Sequence, residues 1–494
     1  MTIKIFNMKC IRILLFIIIC LLPASSCDDW LELIPPDGLV RDEYWKSKED
    51  IEATLMGAYQ SFAGLNGNLF LFGEMRADMI ESDQNTPNAQ RSIMLGNIYP
   101  DNSMTDWSEF YTVINYCNNV LKYAPEIIKF DQTFTEYQMR GFEAEAVFLR
   151  SLAYFYLVRI FKEVPLVLEP SEQDDVQFYL PKSADTTILR VISEDLNKVK
   201  LYVTDDYGSP EENMGRATKG AVLSLLADIS LWNFDYQECI DYINEIEEIG
   251  YLLMPGGKWF EVFYPGNSLE GIFEFQFDQG LGQNNALWQK TYYTNRVIQA
   301  SKTALDLLTP ETSSEIIRGP GSLRSYDGMI WKFCGAASDG VTYRPSSERN
   351  SCNWVVYRYA DVLLMKAEAL SQLGRFDEAL TVINQIRSRV LMNAAEIPYT
   401  TEAFEDAIME ERATELAFEG KRWFDLLRLG RRNNYSRKSK LIEIIIEKVP
   451  STQKLVLASK LTDPFGWYLP IEENELERNS NLVQNPYYAD YSTD

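Results

Sequence analysis

The chain has 494 residues, of which 46% are hydrophobic and 24% are charged, and its 72 acidic residues outnumber its 47 basic residues. A chain this acidic repels nucleic-acid backbones and anionic lipid headgroups, which argues against both as partners. Histidine is absent, which excludes Ser-His-Asp and Cys-His catalysis, HExxH metalloprotease sites and most zinc sites.

The N-terminus has the features of a bacterial lipoprotein signal. Three basic residues among the first twelve precede an uncharged run at 13–22, and small residues at 24–26 precede Cys27. The run is too short for a membrane span, which needs about 20 residues. The pattern predicts a signal peptide over 1–26, with Cys27 acylated as the new N-terminus and 27–40 as a tether to the membrane. The alternative is a secreted protein in which this cysteine is incidental.

Helical periodicity dominates the chain that follows. The segment 47–62 opens with Ser47 and Asp50 in capping-box spacing and then places apolar residues on one face, which predicts an amphipathic helix. The segment 142–161 is apolar nearly all round, which predicts a central, buried helix that ends before Pro165.

Two arginines lie inside this second predicted helix and need acidic partners. Glu143 and Glu145 are the nearest candidates in sequence for Arg150 and Arg159. Because a buried charge is costly unless it is paired, the sequence predicts ion pairs between these residues.

Two later segments resemble each other. Residues 219–246 and 358–386 each read as a helix, a short turn and a second helix, with alanine at the matching positions Ala227 and Ala367. This is the pattern of a tetratricopeptide (TPR) repeat. The copies are separated along the chain, so we expect TPR-like pairs inside one globular body and no open solenoid.

Between the periodic segments lie long stretches rich in Gly, Asn and aromatic residues, at 64–106, 254–300 and 318–353. Only "GIFEFQF" at 271–277 predicts a convincing strand. Loops this long in a compact protein are usually functional or disordered, and their aromatic content argues against disorder.

The richest charged segment, 409–432, has acids followed three residues later by arginines, the spacing of ion pairs on a helix surface. The predicted pairs are Glu419 with Arg422 and Asp425 with Arg428. Gly430 is the predicted C-terminal cap. Glu415 and Glu419 could be imagined as a general acid and base, but nothing in the sequence singles out such a pair.

No catalytic, metal or cofactor motif is present. The chain contains neither GxGxxG nor GxxxxGK[ST], so it predicts no nucleotide or other cofactor. The cysteines Cys117, Cys239, Cys334 and Cys352 lack CxxC spacing, so no metal site is predicted. Cys334 and Cys352 flank a loop-like stretch and could form a disulfide, although buried free thiols are the more common outcome.

Aromatic residues in the aperiodic stretches are the best candidates for ligand contact. A sugar ring has an apolar C–H face and a hydroxyl edge, so it is bound by a flat aromatic ring with amide and guanidinium groups beside it. The candidate binding residues are Trp288, Tyr292, Tyr293, Asn284, Asn285, Arg296, Tyr326 and Trp331. In a helix, Trp288 and Tyr292 would share a face and form a two-ring platform. Taken singly, each ring is more often a packing residue than a ligand contact.

Several segments together resemble the SusD/RagB family of outer-membrane lipoproteins of Bacteroidetes. They follow the order of the family across nearly the whole mature chain. The matching stretches are "DDWLELIPP", "YWKSKEDIEATLMGAYQSF", "FEAEAVFLRSLAYFYLVRIFKEVPLV", "GRATKGAVLSLLADISLW", "WVVYRYADVLLMKAEAL", "INQIRSRV", "ELAFEGKRWFDLLRLGR" and "LPIEENELERNSNLVQNP".

The resemblance implies a mostly α-helical fold with four TPR-like pairs and a loop-rich ligand-binding region with minor β structure. It also implies an outer-membrane, cell-surface location, glycan binding without catalytic activity, and a SusC-like TonB-dependent transporter as partner. The family's ligand site is not a sequence motif, so no binding residue carries over directly.

Two hypotheses follow. The first is a non-catalytic glycan-binding lipoprotein that works with a transporter, and the second is a surface hydrolase or a peptide-binding protein on the same scaffold. In either case we expect an N-terminal helical part at 41–253 and a C-terminal part at 254–494 within one globular body.

Overall fold

The computed structural model describes residues 45–171, 179–292, 295–309, 314–333, 335–339 and 342–491. The predicted signal peptide, Cys27 and the whole predicted tether at 27–40 lie outside these residues, as do Tyr293 and Cys334. Ser47–Asp494 is one compact unit. Within the described residues, no helix is long and apolar enough to cross a membrane.

Helices make up most of the described structure. They are α1 Lys48–Gly64, α2 Asn66–Glu74, α3 Asn88–Met94, α4 Ser108–Ile127, α5 Glu136–Phe161, α6 Asp185–Val199, α7 Pro210–Gly215, α8 Lys219–Asn233, α9 Tyr236–Ile249, α10 Leu287–Thr291, α11 Lys302–Leu308, α12 Arg318–Ser322, α13 Tyr359–Gln372, α14 Phe376–Arg389, α15 Thr401–Glu415, α16 Arg422–Tyr435, α17 Lys438–Ile446, α18 Ser451–Lys460 and α19 Glu473–Arg478. The strands are β1 Ile80–Ser82, β2 Val164–Pro165, β3 Lys182–Ser183, β4 Gly271–Phe275, β5 Ile298–Ala300 and β6 Trp354–Arg358.

The first two predicted helices are confirmed. At the start of α1, the Ser47 N–H donates to the Asp50 carboxylate at 2.9 Å, as the capping-box spacing predicts. Helix α5 is buried over almost all of its second half and ends at Phe161, before Pro165. It begins earlier than the apolar run, because Thr135 caps it by accepting from the Gln138 N–H at 3.2 Å.

The partners predicted for the two arginines of α5 are wrong. Arg150 donates to Asn118 at 2.8 Å and to Asp195 at 2.9 Å. Arg159 lies 3.5 Å from Asp228. Glu145 instead accepts from Arg216 and Tyr59. Asn118, Asp195, Asp228 and Tyr59 lie on helices that pack against α5, whereas Arg216 lies in the link between α7 and α8.

The two TPR-like segments form packed helix pairs, α8 with α9 and α13 with α14, and α9 packs against α13. Ala227 and Ala367 are completely buried. The turns differ from regular helix at Phe234 and Gly374, which have φ of 69° and 73°. Both pairs lie within the compact unit Ser47–Asp494.

Three two-stranded antiparallel sheets pair β1 with β5, β2 with β3, and β4 with β6. The predicted strand at 271–277 is confirmed as β4, which is fully buried and lies opposite β6. The pairing of β1 with β5 joins two of the long aperiodic stretches, because Ile80 lies opposite Ala300.

The charged segment 409–432 differs from the prediction. It is not one helix, because α15 ends at Glu415 and α16 begins at Arg422. Asp425 and Arg428 do pair, at 2.9 Å, but both are buried. The pair of Glu419 with Arg422 does not form, since Arg422 binds Asp78 at 2.7 Å.

Gly430 does not cap a helix. Helical geometry continues past it and breaks at Arg432, and Asn433 and Asn434 then adopt φ of 45° and 54°. A Cβ on Gly430 would lie 2.6 Å from Leu441 and 3.1 Å from Trp467. Close packing of α16 against α17 and the residues near Trp467 therefore explains this glycine.

The cysteines Cys117, Cys239 and Cys352 are free and buried. The Cys352 thiol donates to the Phe263 carbonyl oxygen at 2.7 Å. Burial raises the pKa of this thiol to about 11, so it stays protonated at neutral pH. The other half of the considered disulfide, Cys334, lies outside the described residues.

Candidate functional site

The β1–β5 pairing positions a hairpin-like loop at 323–330. The Ala300 N–H donates to the Gly328 carbonyl at 2.9 Å, which ties the loop to β5. Leu323 and Ile330 form an antiparallel bridge, and the Arg324 N–H donates to the Met329 carbonyl at 2.9 Å. The tip of this loop therefore presents the residues between 324 and 329 at the surface.

Two tyrosines and an arginine form an exposed aromatic group here, which we call the tyrosine surface: Arg324, Tyr326 and Tyr343. Tyr326 is 76% exposed and Tyr343 is 51% exposed. The Arg324 guanidinium lies 4.8 Å from the ring centre of Tyr326 and 5.8 Å from that of Tyr343. A hydrogen bond with Tyr343 raises the pKa of Tyr326, so this hydroxyl remains a donor at neutral pH.

The tyrosine surface is held in place from below and from the side. Trp331 is buried, and its ring meets Tyr343 edge-on at 5.6 Å. The Trp331 indole N–H donates to the Pro320 carbonyl at 3.0 Å. Arg324 donates to Asp327 at 3.2 Å and also to the Tyr343 hydroxyl. Trp331, a predicted binding residue, thus supports an exposed ring without presenting its own.

A polar group lies beside this surface. Arg296 donates to Asp83 at 2.6 Å and to Gln299 at 2.7 Å. Its guanidinium is also 4.0 Å from Asp327, the residue that holds Arg324. Gln299 in turn donates to Glu81 at 2.7 Å. Carboxylate, amide and guanidinium groups therefore stand next to exposed rings, the combination that recognises a sugar.

The predicted platform of Trp288 and Tyr292 takes another form. Trp288 lies in α10 and Tyr292 directly follows the helix in an extended conformation, and their rings stack on each other with centres 5.3 Å apart and planes 24° apart. Tyr292 is only 5% exposed, and Arg349 lies 5.2 Å from its ring centre. The rings thus cover one another instead of lying side by side. The Trp288 indole nitrogen is buried without a hydrogen-bond partner among the described residues.

The predicted asparagines fall into two environments. Asn285 is buried and fully used within the fold, since it donates to the Cys352 carbonyl at 2.7 Å and accepts from Asn66 at 2.7 Å. Asn284 is exposed and accepts from Asn350 at 3.2 Å. Tyr293 lies outside the described residues. Asn284, which also donates to the Gly282 carbonyl at 3.1 Å, is therefore a surface residue, and Asn285 is a structural residue in this geometry.

The two glutamates considered as an acid–base pair lie in a buried charge cluster, away from solvent. The charge cluster comprises Glu270, Glu315, Arg318, Lys332, Arg358, Arg389, Glu411, Glu415 and Glu419. Burial would raise the pKa of Glu415, but Arg389, Arg358 and Arg318 hold it well below its ordinary value. Both glutamates are completely or almost completely buried, so neither can touch a substrate in this arrangement.

Of the predicted binding residues, Tyr326, Trp331 and Arg296 lie at or beside the tyrosine surface, whereas Arg324, Tyr343 and Asp83 are not among the predicted residues. The signal for Arg324 was its place two residues before Tyr326 in an aperiodic stretch. Asp83 and Tyr343 gave no local signal, because each reaches the site through contacts between distant segments. Within the part of the chain that the structure describes, no group of three or more acidic or cysteine side chains is placed to hold a metal ion.

Two family models match the chain. One, described as the SusD family, matches residues 324–488, and the other, described as starch-binding and associating with the outer membrane, matches residues 29–231. The chain belongs to the SusD/RagB family. The tyrosine surface of this SusD/RagB protein lies at the start of the matched segment 324–488. Trp288, Tyr292 and Arg296 lie between the two matched segments.

A curated relative agrees with this assignment, and solved structures share the fold. The chain is 27% identical to SusD-like protein P38 of Formosa agariphila, over 85% of this chain and 91% of that protein. A SusD superfamily structure from Bacteroides vulgatus superposes with a TM-score of 0.74 at 22% identity, covering 90% of this chain and 100% of the other. A structure described as a laminarin-binding SusD-like protein gives a TM-score of 0.69 at 21% identity, with 90% and 100% coverage. The predicted SusD-like fold is confirmed.

Proposed function

We propose that this protein is a cell-surface glycan-binding lipoprotein that captures oligosaccharide or polysaccharide for import through a SusC-like TonB-dependent transporter. The observation that carries the proposal is the tyrosine surface, because two exposed rings lie together there beside guanidinium, carboxylate and amide groups. Family membership supports the same function, and one structure with this fold is described as laminarin-binding.

The chemistry of the tyrosine surface suits a carbohydrate. With 76% of Tyr326 exposed, its ring can stack on the C–H face of a sugar. The Tyr326 hydroxyl and the Arg324 guanidinium can donate to sugar oxygens, and Asp83 and Asp327 can accept from sugar hydroxyls. Because Arg296 and Arg324 are already held by these carboxylates, the donors are preorganised and little side-chain entropy is lost on binding.

Binding, and not catalysis, is the activity we assign. The sequence lacks histidine, and the one carboxylate pair that drew attention, Glu415 and Glu419, is enclosed by arginine and lysine side chains. A glycosidase needs a carboxyl that can be protonated next to the scissile bond. The low pKa of Glu415 works against that role.

The test is a double substitution, Tyr326→Ala with Tyr343→Ala. Loss of a stacking ring costs on the order of 1–3 kcal/mol on the scale measured for aromatic stacking of bases, so we expect glycan affinity to fall at least tenfold. Calorimetry with laminarin and a panel of other soluble glycans, chosen from hits on a glycan array, measures the loss. The melting temperature should change little, because both rings are exposed.

A matched control is Tyr137→Ala, which removes an equally exposed ring (70%) from the first turn of α5. This variant should bind like the parent. Unchanged affinity in the double variant would contradict the assignment of the tyrosine surface. Release of reducing ends from any bound glycan would instead favour the surface hydrolase, and binding of peptides alone would favour a peptide-binding protein.

A further inference from the structure

A groove of about 620 Å³ lies in a different part of the molecule and shares no residue with the tyrosine surface. It is bounded by α7, by the C-terminal end of α9 and by the turn at 265–271 that leads into β4. Its volume falls within the range of small-molecule sites. Among the described residues that line the groove, Tyr251 is the one aromatic residue. The groove therefore does not resemble a sugar-stacking site.

A buried carboxyl group stands behind the wall of this groove. Glu274, on β4, is completely buried. Its Oε2 accepts from the Asn267 N–H at 3.1 Å and from the Asn353 side chain at 3.0 Å. Its Oε1 has no hydrogen-bond partner among the described residues. Such an orphaned acceptor costs free energy that a ligand with a matching donor would recover.

The orphaned oxygen lies next to two residues that line the groove. Gly271 and Met214 both line the groove, and a Cβ on Gly271 would collide with Glu274 Oε1 and lie 2.9 Å from Met214 Sδ. The carboxyl oxygen and the thioether therefore meet at one place in the wall. Helix α7, which carries Met214, has six residues and none of them is buried. A flexible methionine side chain on a short helix therefore lies next to the carboxyl oxygen.

The surroundings favour a positive charge. Asp205 and Glu261 also line the groove, and Lys258, the basic residue in the described lining, is paired with Glu261 at 3.7 Å. The C-terminal end of α9, at Ile249, contributes the negative end of a helix dipole. Apolar side chains complete the lining, among them Leu269, which is 65% exposed.

We propose that this groove binds a primary ammonium group carried on an apolar stem, with Glu274 as its counter-ion. The ammonium donates to Glu274 Oε1, which satisfies the orphaned acceptor and forms a charge-assisted hydrogen bond. The stem lies against Met214, Met254 and Leu269 after the Met214 side chain moves aside. The buried Glu274 has a pKa raised to about 7 by burial, so an arriving cation also stabilises its ionised form.

The test uses n-pentylamine as the probe and 1-pentanol as a neutral ligand of the same length. Calorimetry on the purified protein should show binding of the amine and at least tenfold weaker binding of the alcohol, since only the amine pairs with the carboxylate. Glu274→Gln, which keeps the side-chain volume, should remove this preference. Equal binding of the two probes, or an unchanged preference in a folded Glu274→Gln variant, would overturn the proposal.

A second variant keeps the test decisive if Glu274→Gln folds poorly. Met214→Lys places an ammonium group on a stem of similar length beside Oε1, so it should occupy the site and abolish binding of added amine. Met214→Gln, neutral and of similar size, is its control and should still bind the amine. Retention of amine binding by Met214→Lys would count against the site.

Two further ligands identify the natural source of the ammonium group. Nα-acetyllysine amide represents a peptide side chain, and 1,5-diaminopentane represents a free polyamine. Preferential binding of either one over its neutral analogue supports the proposal and names the source. Failure of both of these and of pentylamine to bind overturns it, whatever the outcome at the tyrosine surface.

Discussion

Glu419 shows how strongly a single charge can depend on distant partners. It is 2% exposed and accepts from Lys332 at 2.6 Å and from Arg358 at 2.8 Å. Burial would raise the pKa of Glu419, but these two cations lower it below its ordinary value. The residue is therefore held as an anion inside the protein, and its free energy depends on both pairs being complete.

We predict that Glu419→Gln destabilises the fold by roughly 3–5 kcal/mol, because it leaves buried cations without their counter-ion. Urea unfolding followed by circular dichroism measures the loss. The control is Glu378→Gln, which breaks an exposed pair with Arg375 and should leave the unfolding midpoint nearly unchanged. A small loss at Glu419, similar to that of the control, would show that the charge cluster contributes little.

Ion pairs also decide how the C-terminal helices are fixed to one another. Glu368 on α13 accepts from Arg428 on α16 at 2.7 Å and also from Arg432. Arg412 on α15 donates to Asp361 on α13 at 2.9 Å and lies 2.8 Å from Asp425 on α16. These contacts join three helices through buried charges, so the packing of α13, α15 and α16 depends on carboxylates that stay ionised.

The acid stability of the protein should follow from Glu368. Burial would raise its pKa, but Arg428 and Arg432 lower it from 4.5 to about 2. A lowered folded-state pKa gives stability that is complete above the unfolded value of 4.5 and is lost as the pH falls toward 2. The contribution is on the order of 3 kcal/mol.

Urea unfolding at a series of pH values between 7 and 2 checks this prediction. The free energy of unfolding of the parent should fall steeply below about pH 4.5. Glu368→Gln should be less stable at pH 7 and should show a shallower fall with acid. Parallel curves for the two proteins would mean that Glu368 is not the group that titrates.

At the scale of the whole molecule, the sequence predicts secondary-structure elements well but predicts side-chain contacts between distant segments poorly. Periodicity and capping gave α1, α5 and β4 because these signals lie within a few residues of each other. The sequence predicts that Glu419 forms an ion pair on a helix surface, with Arg422. Its partners in the structure, Lys332 and Arg358, lie far away in sequence, so no local pattern could indicate them.

The same limit applies to the candidate site. The spacing of Trp288 and Tyr292 predicts that their rings lie near each other, but only packing decides whether two such rings lie side by side or stack, as they do here. Tyr326 and Tyr343 come together through a loop that β5 positions, so their joint exposure is a property of the fold.

The last prediction concerns attachment of the whole molecule to the membrane. Cys27 lies outside the described residues and precedes the compact unit that starts at Ser47. Cys27→Ala should therefore leave the fold intact while removing the acyl chains, whose burial in the bilayer anchors the protein. Metabolic labelling with a fatty-acid analogue, followed by separation of membrane and soluble fractions, measures both effects.

Cys117→Ala, a change at a buried free cysteine, should keep the label and the membrane location. Equal labelling of Cys27→Ala and the parent would contradict the lipoprotein assignment, and an unlabelled parent would instead match a secreted protein with an incidental cysteine.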